Sequence, residues 1–141
     1  VGPGELLGLA HAVAEFTGFA VPLGTDLALD LTAQPLARDA ALWGHPTAYE
    51  ACQTLAETAR GVGVQVLRSR SVRDPRGGAN LSVLTCAAFA ARAPTDRQSW
   101  RIRIGPSGAQ AIREHPAKGL EFGRDAFADP RLQGMVWDRR A

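Results

Sequence analysis

The sequence predicts an α+β domain, a mixed β-sheet core with flanking helices. Three observations predict it. Apolar residues recur at helical spacing in two stretches, Leu6 to Phe16 and Tyr49 to Ala59. They alternate with small or polar residues in Leu27, Leu29, Leu31 and in Trp100-Arg-Ile-Arg-Ile104, the period of a half-buried strand. Long connections alternate with short, hairpin-like ones, which mixes parallel with antiparallel pairing.

Taken in order, residues 1–4, Val-Gly-Pro-Gly, start no regular structure, and a helix is expected from Glu5 to Phe16. Gly18 and Pro22 end it. Thr25 to Thr32 reads as a strand and Leu36 to Trp43 as a short helix. A longer helix opens at Thr47, with Glu50 three residues on as a capping box. Tyr49, Cys52, Leu55, Ala56 and Ala59 share one of its faces, and Gly61 and Gly63 close it. Val64 to Leu67 is a strand, residues 69–80 a loop, and Leu81 to about Phe89 another strand. A turn over Ala93 to Gln98 leads into the strand Trp100 to Ile104. Beyond it a short helix is expected near Ser107 to Glu114, a short strand near Leu120 to Phe122, and irregular chain to Ala141.

With 141 residues, 45% of them hydrophobic, the chain is expected to form one domain that needs neither disulfide nor metal to fold. Sixteen basic residues, of which Lys118 is the only lysine, stand against 14 acidic ones. A net charge of +2 with scattered arginines is no nucleic-acid signature. No apolar run reaches the ~20 residues of a membrane span, and no basic flank marks a signal peptide. Cys52 and Cys86 lie in apolar stretches without metal spacing and are expected as buried free thiols. The expectation is a reduced cytoplasmic protein.

The segment Ser69-Arg-Ser-Val-Arg-Asp-Pro-Arg-Gly-Gly-Ala-Asn80 carries the strongest chemical signal. Glycines admit a ligand close to the backbone, arginines grip phosphates bidentately, and serine and asparagine add neutral donors. The same composition also describes a solvated surface hairpin. Glu15 reads either as an exposed helix carboxylate, pairing with His11 one turn away, or as a partly buried and therefore functional one. His11, His45 and His115 form no recognisable motif, and Gly61-Val-Gly63 is too short for a phosphate fingerprint.

Together, Leu29-Asp-Leu-Thr32, the stretch Tyr49-Glu-Ala-Cys-Gln53 through Arg60, Gly-Val-Gly-Val-Gln-Val-Leu67 and Ser69 to Leu81 resemble the RES domain. Trp100 to Ile104, Gly105-Pro-Ser-Gly-Ala109 and Leu120-Glu-Phe122 extend the likeness, which spans residues 27–128. The resemblance implies an ADP-ribosyltransferase-like fold and the toxin of a bacterial type II toxin–antitoxin pair. Such toxins consume NAD, either splitting it as NAD phosphorylases or glycohydrolases, or transferring ADP-ribose to a protein. A cognate antitoxin covers the active site and supplies DNA binding. By position, Ser71 matches the family serine and Glu15 the family glutamate, both catalytic, while Arg73 and Asn80 bind substrate. The family arginine lies on an upstream segment expected to be missing from this chain, so a catalytically incomplete antitoxin-binding module is the reading of another class. NAD is the implied substrate, and the implied chemistry requires no metal.

Overall fold

The structure, a computed structural model, describes residues 13–130. Among them, residues 13–20 with 94–130 form one compact unit and residues 21–93 a second.

The first unit is a four-stranded antiparallel sheet of β1 (Val13–Ala20), β5 (Thr95–Gly105), β6 (Gly108–Arg113) and β7 (Lys118–Gly123), in the order β1-β5-β6-β7. Residues paired across strands share a face. Ala14, Phe16, Trp100, Ile102, Ala111 and Leu120 therefore form an apolar side, and Glu15, Arg101, Arg103, Gln110 and Glu121 the polar one. Ala109 and Ala111 are its buried residues.

Two helices expected here are strands. The helix carrying Glu15 is replaced over its described part by β1, while residues 5–12 and His11 lie outside the described residues. Val13, Phe16, Thr17 and Phe19 favour a pleated surface, and β5 supplies the ladder partner. Gly18 does not terminate a helix. A Cβ there would lie 3.2 Å from Trp100 Nε1, so the glycine leaves room for the indole inside the sheet. The helix near Ser107 to Glu114 is β6. Its alanines favour a helix locally, but Ala109 and Ala111 are buried while Gln110 and Ile112 are exposed, a period of two. Pro106 and Ser107 turn the chain between the paired Gly105 and Gly108.

The second unit holds β2 (Ala28–Asp30), β3 (Val66–Arg70) and β4 (Ala79–Val83), with β2 parallel and β4 antiparallel to β3. This is the mixed sheet the sequence predicts. Two helices accompany it, α1 (Ala40–Trp43), entered through a 3-10 turn at Leu36–Asp39, and α2 (Glu50–Gly61). Leu31, Ala59, Val66, Leu67 and Ala88 are its buried core. The expected capping box is absent: α2 begins after Tyr49, and the Thr47 and Ala48 amides donate to His45 Nδ1 at 3.2 and 2.8 Å. Gly63, at φ +88°, takes the left-handed turn that ends α2. The strand expected from Leu81 to Phe89 stops at Val83, and a 3-10 turn over Cys86–Ala88 follows. Cys52 is half-buried and Cys86 exposed, and both are free, so the thiols are unpaired as expected but neither is buried.

Among the described residues, no helix is long and apolar enough to cross a membrane.

Candidate functional site

The loop 71–78 joins two hydrogen-bonded strands, and its closure is local. The Ser71 amide donates to the Gly78 carbonyl at 2.7 Å, just beyond the Arg70–Ala79 pair. Asp74 organises the interior. One carboxylate oxygen accepts from the Arg76 amide at 2.9 Å, the other from the Gly78 amide at 3.1 Å, and its carbonyl accepts from Gly77 at 3.0 Å. A Cβ at Gly78 would lie 2.5 Å from Asp74 Oδ2, and Gly77 sits at φ +71°. Gly77 is thus favoured by its left-handed backbone and Gly78 by the close approach of the Asp74 carboxylate.

Three of the four predicted residues come together here. Ser71 is half-buried at the start of the loop, and its hydroxyl makes no hydrogen bond with the described residues. Asn80 stands opposite Ser69 on β4 and is exposed. Arg73 is half-buried and donates through Nη2 to the Pro46 carbonyl at 3.2 Å. Tyr49 Oη donates to the same carbonyl at 2.9 Å, so a single acceptor gathers a loop arginine and the first residue of the Tyr/Gln motif. A Cβ at Gly44 would meet Val72 Cγ1 at 3.3 Å, which brings the loop against the chain just before His45-Pro46.

Sequence reasoning missed this His45-Pro46 corner. A proline after a histidine signals only a turn, and the functional group is a backbone carbonyl that any residue would supply.

Beside the loop, Asp30 of the Leu-Asp-Leu-Thr strand accepts from the Thr32 hydroxyl at 2.6 Å and the Thr32 amide at 2.8 Å. Arg68 Nη1 reaches Asp30 Oδ2 at 3.1 Å and Thr32 Oγ1 at 2.7 Å. The Thr32 hydrogen bonds first, and the Arg68 charge after them, hold the Asp30 carboxyl below the usual carboxylate range.

Glu15 belongs to the other unit. It is a strand residue opposite Arg101 on the polar side of the sheet, with its carboxylate 3.6 Å from the Arg101 guanidinium, which also pairs with Glu114 at 3.2 Å. Its side chain is 81% exposed, so the partly buried carboxylate is not what the structure shows. A hollow of about 450 Å³ at the β5–β6 turn, lined in part by Arg103, Gln110 and Glu121, contains none of the predicted residues.

Fold and loop define an α+β protein that presents a glycine-rich, arginine-rich loop between paired strands. A model of the RES domain matches residues 4–105. The chain belongs to the RES domain family. The matched span begins before the likeness read from residue 27 and takes in Glu15; it ends with β5, so Leu120-Glu-Phe122 lies beyond it. No curated protein matches the chain.

Proposed function

We propose that this chain is a RES-type toxin that degrades NAD by cleaving the nicotinamide–ribose bond. The observation that carries the reading is the loop: the family serine, Ser71, leaves its hydroxyl available, with Arg73 beside it and Asn80 on the adjoining strand, in a chain matched by the RES model. Cleavage breaks the ribose C1–nitrogen bond and sends its electron pair to the nicotinamide ring, which leaves neutral. The sugar becomes oxocarbenium-like, and water or phosphate then forms the new C1–oxygen bond and gives up a proton. The protein's task is to orient the ribose and stabilise its positive charge, the logic of glycosidases. Ser71 orients the nicotinamide ribose or its amide, and Asn80 and Arg73 hold substrate. A cognate antitoxin that covers the loop is the proposed partner, and the cytoplasm, where NAD is found, the proposed compartment.

The test is nicotinamide release from NAD, with and without phosphate, for the full chain and for Ser71→Ala. Release that falls at least ~100-fold in Ser71→Ala is the expected result, and phosphate dependence marks a phosphorylase. Undiminished release by Ser71→Ala overturns the role of Ser71, and no release by the parent chain overturns NAD cleavage. Labelled NAD incubated with lysate separates cleavage from ADP-ribose transfer, since only transfer leaves a labelled protein band.

A further inference from the structure

Four arginines lie on or next to the β3–β4 hairpin, and the structure uses them differently. Arg68 is spent on Asp30 and Thr32. Arg73 is tied to Pro46. Arg70 and Arg76 have neither an ion pair nor a side-chain hydrogen bond among the described residues. The only carboxylate in the loop, Asp74, gives both oxygens to backbone amides and neutralises no guanidinium.

Arg70 is distinguished from Arg76 by what it faces. Its Nη2 and Nε lie 3.4 and 3.6 Å from where a Cβ on Gly77 would stand. These two donors form one edge of the guanidinium, the edge that grips an oxyanion with two parallel hydrogen bonds. A Cβ at position 77 would stand in van der Waals contact with that edge. With glycine there, no side chain lies against the bidentate edge of Arg70, one residue before Ser71 and without an ion pair among the described residues.

We infer that Arg70 binds a phosphate-class oxyanion over Gly77, and that this oxyanion is the diphosphate of the dinucleotide. Arg73 stands beside this site with its Nη2 bonded to the Pro46 carbonyl. The inference deepens the NAD reading and rests on it for the identity of the ligand, but the anion site itself is measurable without turnover.

Calorimetric titration of the full chain with inorganic pyrophosphate, ADP-ribose and inorganic phosphate tests it, beside Arg70→Ala, Arg70→Lys and Arg76→Ala. Arg70 and Arg76 are exposed, and a thermal melt checks that each variant folds. The expected result is binding of pyrophosphate and ADP-ribose that weakens about tenfold or more in Arg70→Ala, is only partly rescued by Arg70→Lys, and changes less than about threefold in Arg76→Ala. Equal losses in Arg70→Ala and Arg76→Ala would reduce the site to diffuse positive charge and overturn it. So would the absence of pyrophosphate binding. Inorganic phosphate bound as tightly as pyrophosphate overturns the diphosphate assignment. Arg70-dependent pyrophosphate binding without nicotinamide release leaves the site standing and the NAD reading fallen. Nicotinamide release whose KM for NAD is unchanged in Arg70→Ala does the reverse.

Discussion

Asp30 shows how one carboxylate joins local geometry to a pH dependence. It closes the end of β2 by accepting from Thr32 twice and links β2 to β3 through Arg68. These bonds favour the charged form, so its folded pKa lies below its unfolded one. The stabilisation is complete above the unfolded value, about 4, and is lost as pH falls through the folded value. Asp30→Ala is therefore expected to lower the melting temperature near neutral pH, with the gap from the parent chain closing below about pH 4. Melting curves of the two proteins across that range check it, and a gap independent of pH would show that the side chain acts through packing alone. At the same scale, the loop that carries Ser71, Arg73 and Asn80 was legible because their types and spacing form a motif. Arg70 was not: four arginines look alike in a sequence, and only their acceptors, Asp30, the Pro46 carbonyl or none, tell them apart.

At the scale of elements, what the sequence disclosed depended on where each strand or helix finds its partner. Helix α2 was legible because its apolar stripe and the glycines after it are local. β2 and β5 were legible because their residues alternate, and β3 because a short apolar run follows a glycine. β1 was misread because the apolar spacing from Leu6 to Phe16 suits a helix, whereas its partner β5 is remote in sequence; β6 was misread because its alanines favour a helix locally and its alternation is short. The hairpin of β5 and β6 depends on a single residue. Gly108 sits at φ +132°, and a Cβ there would overlap the Phe122 carbonyl oxygen of β7. Gly108→Ala must therefore both strain its backbone and push β7 away from β6. It is expected to cost about 3 kcal/mol or more. Gly119, on β7 itself, has nothing within 4 Å of its would-be Cβ, and Gly119→Ala is expected to change stability by less than about 0.5 kcal/mol. Chemical denaturation of the two variants checks the contrast, and comparable stability would mean that the turn is not held by the close approach of Phe122.

For the molecule as a whole, the charge distribution bears on which polyanions it meets. The net charge is only +2, and several of the arginines already face partners. Arg68 faces Asp30, Arg101 faces Glu15 and Glu114, and Arg113 lies 5.3 Å from the Trp100 ring centroid while donating to Gln98 at 2.7 Å. Duplex DNA is held by rows of cations, each releasing a counterion, so that affinity collapses with salt when few phosphates are neutralised. The unpaired cations of the loop, Arg70 and Arg76, supply one or two such contacts, enough for a small diphosphate and too few for a duplex. The isolated chain is therefore expected to give no gel shift with duplex DNA at about 0.15 M salt, while still binding pyrophosphate through Arg70. A shift that survives that salt would require a basic surface beyond the loop and would move DNA recognition from the proposed antitoxin to this chain.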